Sequence, residues 1–250
     1  MMTKKQVVIA YTSLSLGWVL LMVAIFSVIL SGCTKDNISG SGNVVSQTRN
    51  TATFADVDIS GPFEVHLLQE DTAAVEIKAE DNIIDVIETG VSNNGLFVRI
   101  RNHVNIRHHL PIRIYVHNRL FQRITFDGSG SLESKDTIHT SLFKYELNGS
   151  ANASLLLVTT DLTTTINGSG NITMKGSAVT LDSDINGSGN IAALDMSVQN
   201  ANITIRGSGE HSICAAKTLN ANIYGSGNIT YTGAAKVNAD IKGSGKLIKL

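Results

Sequence analysis

A run of basic residues between Glu88 and Asp127 is the part of the sequence best suited to ligand chemistry, because no Asp or Glu interrupts it. Its basic residues are Arg99, Arg101, His103, Arg107, His108, His109, Arg113, His117, Arg119 and Arg123. Strand alternation would turn five of them toward solvent together, namely Arg99, Arg101, Arg113, His117 and Arg123. Guanidinium groups match the geometry of phosphate, sulfate and carboxylate. These five are therefore candidate ligand-binding residues for an anionic glycan or envelope polymer, the alternative being a solvated face that acids elsewhere neutralise.

The histidines of this run do not form a metal-binding pattern. His108 and His109 are adjacent, so on a strand their side chains would point to opposite faces. The sequence has no His-Glu-x-x-His and no paired cysteines at ligand spacing. Its repeated turns also lack the aspartate of nonapeptide calcium turns. We predict no metal site and no cofactor.

Asp182 and Asp184 are two residues apart and would share the outer face of one strand. Glycoside hydrolysis needs two carboxylates about 5–10 Å apart, so a polysaccharide-active β-helix enzyme is an alternative function. The neighbours expected in adjacent coils are Thr and Asn, which would not separate the pKa values of the two carboxyls. We therefore predict no catalytic residues.

The N-terminus has the pattern of a bacterial lipoprotein signal peptide. Lys4 and Lys5 precede an uncharged apolar stretch, 7–30, whose strongly apolar part is 18–30. That part fits a signal h-region of roughly 7–15 residues better than a spanning helix of about 20, although a retained signal anchor is an alternative. The stretch ends in Leu30-Ser31-Gly32-Cys33, which resembles the lipobox at which a cysteine is lipidated.

We predict that residues 1–32 are removed and that Cys33 carries acyl chains such as palmitate, which would attach the protein to a membrane. Thr34 rather than Asp follows Cys33, which favours the outer membrane of a bacterial cell envelope, at the periplasmic face or the cell surface. Without Lys4 and Lys5 the chain has 18 Lys and Arg against 21 Asp and Glu, a net charge of −3. This near-neutral charge predicts no nucleic-acid partner.

A Gly-Ser-Gly motif recurs through the second half of the chain. Its copies begin 18–21 residues apart, at Gly128, Gly168, Gly187, Gly207, Gly225 and Gly243, with a variant copy, Gly-Ser-Ala, at Gly149. An Asn follows several of the turns, which would allow an internal ladder of side-chain amides. A period of about 20 residues with one tight turn is typical of a β-solenoid.

The residues before each turn alternate between apolar and polar, as a half-buried strand requires. The inward triplets would stack into three columns: 143/145/147, 162/164/166, 181/183/185, 201/203/205, 219/221/223 and 237/239/241. Up-and-down hairpins would need turns every 8–12 residues, and a left-handed hexapeptide helix would need a stricter period. We predict an all-β fold, a parallel β-solenoid of right-handed winding, in which Lys242, Lys246 and Lys249 place charge at the terminal edge.

The predicted organisation has four parts: the signal peptide 1–32, a lipidated linker 33–43, a less regular β region 44–126 and the regular solenoid 127–250. Within the less regular region the sequence predicts strands at 63–69, 75–79, 96–101 and 112–117, with a helical turn near 82–87.

Several of these features occur together in one known family. The chain combines a lipobox, Gly-Ser-Gly-Asn at 40–43, the alternating segment 54–65, the segment 110–116 and a series of Gly-Ser-Gly-Asn-Ile turns. Over roughly 43–245 it resembles the head GIN domain family of auto-transporter adhesins. The resemblance implies a β-helix-like fold, an adhesin role and sometimes a homo-oligomer, and it supplies no catalytic residues.

The sequence as a whole predicts an envelope-anchored, non-enzymatic lipoprotein that acts as a β-solenoid binding or structural module, adhesin-like in character. The alternatives are the polysaccharide-active enzyme and a self-assembling periplasmic scaffold.

Overall fold

The computed structural model describes residues 36–250, so the predicted signal peptide and Cys33 lie outside the described residues. Strands make up most of this part of the chain. The first ten are β1 (Asp36–Ser39), β2 (Val44–Asn50), β3 (Asp56–Ser60), β4 (Phe63–Gln69), β5 (Ala74–Glu80), β6 (Ile87–Ser92), β7 (Gly95–Ile100), β8 (Val104–Arg107), β9 (Ile112–Asn118) and β10 (Arg123–Gly128). The rest are β11 (Ser131–Ser134), β12 (Ile138–His139), β13 (Leu142–Gly149), β14 (Asn152–Gly168), β15 (Asn171–Gly187), β16 (Asn190–Gly207), β17 (Glu210–Gly225), β18 (Asn228–Thr232), β19 (Lys236–Gly243) and β20 (Lys246–Lys249). One short helix, α1 (Asp81–Ile84), follows β5.

The strands form a parallel β-solenoid, which confirms the predicted fold class. In each regular coil the chain turns sharply at the Gly-Ser-Gly motif or its variant, and we call this turn the corner. The strands before the corner, and the N-terminal strands stacked on them, pair in the order β7, β3, β10, β13, the second halves of β14–β17, and β19. We call these the leading stack. Strands that leave the corner pair in the order β9, β4, β11, the first halves of β14–β17, β18 and β20, and we call these the trailing stack.

The corner between the two stacks needs glycine because consecutive coils touch there through their backbones. At Gly187 φ is +136°, and a Cβ would lie 2.3 Å from the carbonyl oxygen of Gly168. That oxygen accepts a hydrogen bond from the N–H of Ser188 at 3.0 Å. A side chain would therefore meet strain in its own backbone and displace the bond that joins the coils.

The interior consists of the columns that alternation predicted. Phe126, Leu147, Ile166, Ile185 and Ile205 stack one above the other in register, and all are fully buried. Burial falls off in the coil formed by β19 and β20, where Ile241 is about two-fifths exposed. Lys242 in this coil pairs with Asp240 at 3.1 Å.

The less regular N-terminal region contains the predicted strands and also extends the stack. β4, β5 and β9 cover three of the predicted segments, and β7 covers the fourth as far as Ile100. α1 overlaps only the first part of the predicted helical turn, since β6 begins at Ile87. The pair β3–β4 stacks between β7–β9 on one side and β10–β11 on the other. Beyond it, β5 pairs antiparallel with β9, β2 with β5, and β6 with β7, so antiparallel strands cover this end of the solenoid.

Candidate functional site

The asparagines that follow the corner form a ladder, but on the surface rather than in the interior. Nδ2 of Asn171 donates to Oδ1 of Asn152 at 2.9 Å, and Asn190 donates to Asn171 at 2.9 Å. All three residues are exposed. The prediction of an internal ladder was wrong because the strand after the corner turns the residues that follow each Asn inward, such as Ala153 and Ile172.

A second ladder runs along the leading stack just before the corner. Asn148 donates to Asp127 at 2.7 Å, Asn167 to Asn148 at 2.8 Å and Asn186 to Asn167 at 2.9 Å. Because an amide has two N–H groups and two lone pairs, a laddered Asn keeps one donor and one acceptor for an outside partner. The ladder also fixes the side-chain rotamers, which lowers the entropic cost of binding.

Further rows of polar side chains cover the rest of the leading stack. Thr180 donates to Asp161 at 2.6 Å, and Asn202 donates to Asp182 at 2.7 Å. Thr163, Thr165 and Thr204 also point outward at half-buried positions. The outer surface is thus a grid of hydroxyls, amides and some carboxylates whose rows follow the strand spacing of about 4.8 Å.

The structure divides the five candidate ligand-binding residues between the two stacks. Arg99 on β7 and Arg123 on β10 belong to the leading stack, where they align with Ser60 and Asp56 at opposite ends of β3. Arg113 and His117 both lie on β9 in the trailing stack, and Arg101 follows β7 and is exposed. The five side chains therefore do not form one cluster.

Four of these residues also have a carboxylate partner, on a neighbouring strand for the three arginines and just after β4 for His117. Arg99 pairs with Glu88 at 2.9 Å, Arg113 with Glu64 at 2.9 Å and Arg123 with Asp56 at 2.7 Å. Nδ1 of His117 lies 2.8 Å from Glu70. Acids from outside the basic run thus neutralise much of its charge, and the anion-binding role of the five residues stays a prediction.

The carboxylate of Glu70 is the best connected of these partners. Hydrogen bonds from Thr72 at 2.6 Å, and then from His117, hold the pKa of this carboxyl below its usual range. His117 and Glu70 are 47 residues apart. A search for charged neighbours along the chain could not have found such pairs, because they depend on which strands lie side by side.

Two other predicted features have a definite place. Asp182 and Asp184 share an outer face as predicted, but Arg206 in the next coil reaches Asp184 at 3.0 Å. Sequence reasoning missed this arginine because it aligns with Asn186, not with Asp184.

His108 and His109 lie in the loop between β8 and β9 rather than on a strand.

Within residues 36–250 no three side chains of His, Cys, Asp and Glu come together as a ligand set for a metal ion. Across the same range, helices long and apolar enough to span a membrane are absent. Cys214 is half-buried and is not in a disulfide.

The fold and its polar outer rows define a repeat protein of the β-solenoid class, which presents extended surfaces along its stack. More particularly, the chain belongs to the family described as "Putative auto-transporter adhesin, head GIN domain", whose model matches residues 53–235. This match confirms the family resemblance that the sequence motifs indicated.

Several crystal structures share this fold. A putative adhesin from Bacteroides fragilis matches with a TM-score of 0.80 and 21% identity, over 85% of this chain and 100% of its own. A putative lipid binding protein from Parabacteroides distasonis matches with a TM-score of 0.74 and 23% identity, over 86% and 100%. A putative adhesin from Parabacteroides merdae matches with a TM-score of 0.70 and 22% identity, over 86% and 99%. No curated protein is detectably similar in sequence. At these identities the likeness shows the fold alone.

Proposed function

We propose that the chain is an envelope-anchored, non-enzymatic lipoprotein whose solenoid acts as an adhesin-like binding module for glycan chains. The observation that carries this proposal is the outer grid of amides and hydroxyls, in which the ladder Asn152–Asn171–Asn190 keeps unused donors and acceptors at regular spacing. A glycan presents hydroxyl groups at regular intervals along its length. A rigid array of neutral donors and acceptors is complementary to such a polymer.

Membership of an adhesin family supports the same function. The lipobox at Cys33 supports the envelope anchor. The pairing of Arg99, Arg113 and Arg123 with acids favours a glycan held by neutral groups over one held chiefly by charge.

Affinity electrophoresis tests the binding role. The full chain, purified in detergent, is run in native gels that contain starch, mannan, xylan or cellulose derivatives, with a glycan-free gel as reference. We expect at least one neutral glycan to retard the protein. Replacing Thr163, Thr165 and Thr204 together by Val, which keeps the side-chain shape and removes the hydroxyls, should reduce the retardation. Unchanged mobility of the wild-type chain in every gel would overturn the proposal.

Protease shaving tests the location. Intact and lysed cells are treated with protease and blotted for the solenoid. In the control variant Cys33→Ser the protein should no longer be found in the membrane fraction. Digestion on intact cells is expected for an adhesin. Protection until lysis would overturn the adhesin role and favour a periplasmic scaffold.

A further inference from the structure

The outer face of the trailing stack contains a shallow trough of about 220 Å³. Two rows of residues, two positions apart on each strand, form it. One row is Asn171, Asn190 and Glu210, which Asn228 continues beyond the trough in the next coil; the other is Thr173, Ala192, Ser212 and Thr230. Side chains two residues apart on a strand share one face, so the rows run parallel along the stack.

Glu210 interrupts the amide ladder at this trough. In earlier coils the Nδ2 group of each Asn donates to the Oδ1 of the Asn before it. Glu210 has no such donor, and its backbone N–H takes the place at Asn190 Oδ1, at 3.0 Å. Among the described residues its carboxylate has neither a hydrogen-bond partner nor an ion pair, although the side chain is exposed beside polar neighbours.

The groups around Glu210 are also available. Asn228 accepts from the N–H of Lys246 at 3.1 Å, while its Nδ2 group has no partner within residues 36–250. The hydroxyls of Thr173, Ser212 and Thr230 likewise make no hydrogen bond to other described residues. Between Thr173 and Ser212 the small side chain of Ala192 leaves room.

We propose that this trough is a subsite for a neutral pyranose residue of a glycan chain. A carboxylate only accepts hydrogen bonds, and its two oxygens suit two adjacent donors. Adjacent hydroxyls of a sugar ring supply those donors and can accept from Asn190 and Asn228 in return. An anionic sugar would be repelled by the unpaired carboxylate of Glu210. This inference rests on the proposed glycan-binding function and assigns one subsite of it to the trailing stack.

The test is titration calorimetry of the full chain in detergent with maltohexaose, cellohexaose, mannohexaose and xylohexaose. For the oligosaccharide that binds, Glu210→Gln should raise the Kd roughly tenfold or more, because a hydrogen bond to a charged group is replaced by a neutral one. Ala192→Gln, which fills the trough with an exposed side chain, should abolish binding. Glu76→Gln makes the same chemical change on β5, at the antiparallel end, and should leave the Kd unchanged.

The outcomes separate the two proposals. Wild-type binding that neither trough variant weakens would overturn the subsite and leave the glycan-binding function standing. Tighter binding of an anionic oligosaccharide, oligogalacturonate, than of any neutral one by the wild type would overturn the ligand class. Failure of the wild type to bind any of the four probes would overturn the subsite together with the proposed function. Thermal unfolding of each variant shows whether it is folded.

Discussion

Nε2 of His211 lies 3.0 Å from Oγ of Ser183 inside the solenoid, so a polar contact joins the trailing stack to the leading stack through the core. Ser183 in turn accepts a hydrogen bond from Thr164 at 3.0 Å. The stack places His211 between Ile191 and Ile229, and it is 1% exposed. Its Nδ1 atom has no hydrogen-bond partner. A titratable ring is thus held in an apolar column.

The burial of His211 predicts that acid destabilises the protein. Burial lowers the pKa of His211 from the usual 6.5 to about 3. In the unfolded chain the ring takes up a proton near pH 6.5, whereas in the folded chain it stays neutral until about pH 3. Stability from this group is therefore present above pH 6.5 and is lost as the pH falls from 6.5 toward 3. His211→Ile should flatten the fall in the unfolding midpoint between pH 7 and 4.5.

A second variant helps to isolate the contribution of His211. His66 has its pKa lowered, chiefly by burial, so His66→Gln measures a smaller effect of the same sign. Equal slopes for His211→Ile and the wild type would show that the buried imidazole does not govern acid stability.

We expect that adding one methyl group at the glycine corner lowers the stability of the protein strongly. Gly187→Ala should lower the free energy of unfolding by about 2–4 kcal/mol, because it adds left-handed backbone strain and a clash with the Gly168 carbonyl. Gly95→Ala is the matched control, since its Cβ would meet no atom closer than 3.5 Å. Urea unfolding of both variants measures the difference. A midpoint for Gly187→Ala equal to that of the control would contradict the packing described for the corner.

Glu80 predicts a local effect at the start of the solenoid. Its buried carboxylate accepts the N–H groups of Gly42 at 2.7 Å and Leu110 at 2.8 Å. Glu80→Ala leaves both donors without a partner and should cost about 1–3 kcal/mol. Hydrogen exchange at Gly42 and Leu110 should quicken most. Exchange that quickens equally in all coils would instead indicate a global loss of stability.

The arginines predict a change in retention on a sulfated resin. Replacing Arg99, Arg101 and Arg113 by Ser removes three cations and leaves Glu64 and Glu88 without their partners. The variant should therefore elute at lower salt than the wild type. A control in which Lys135, Lys175 and Lys217 become Ser removes the same charge elsewhere. Elution of both variants at the same salt would assign the effect to net charge and remove the case for an anion site.

The repeated part of the chain could be predicted because each coil has the same alternation of inward apolar and outward polar residues. Ile185 and Ile205 face inward for the reason that Ile166 does, and the corner glycines mark the register directly. The N-terminal strands β4 and β9 were predictable from alternation, whereas their pairing with each other was not. Parallel pairing of segments nearly 50 residues apart depends on which strands lie together, and alternation carries no information on that.

The same limit applies to the candidate site. Alternation correctly turns Arg99 and Arg113 outward, yet it cannot show that they lie in different stacks, or that Glu88 and Glu64 pair with them. His211 was missed, although a signal was present in the sequence. The neighbouring coils have Ile172, Ile191 and Ile229 at the aligned positions, so a histidine there departs from the repeat.

The position of β3–β4 between two later strand pairs has a consequence for how the rod is assembled. This coil precedes both neighbours in the chain, so it has two open edges until β7–β9 cover one and β10–β11 cover the other. Each coil after β13 closes directly on its predecessor, through contacts of short sequence separation that form quickly. The β3–β4 pair therefore depends on two later segments of the chain, and until both have paired with it at least one of its strand edges stays exposed.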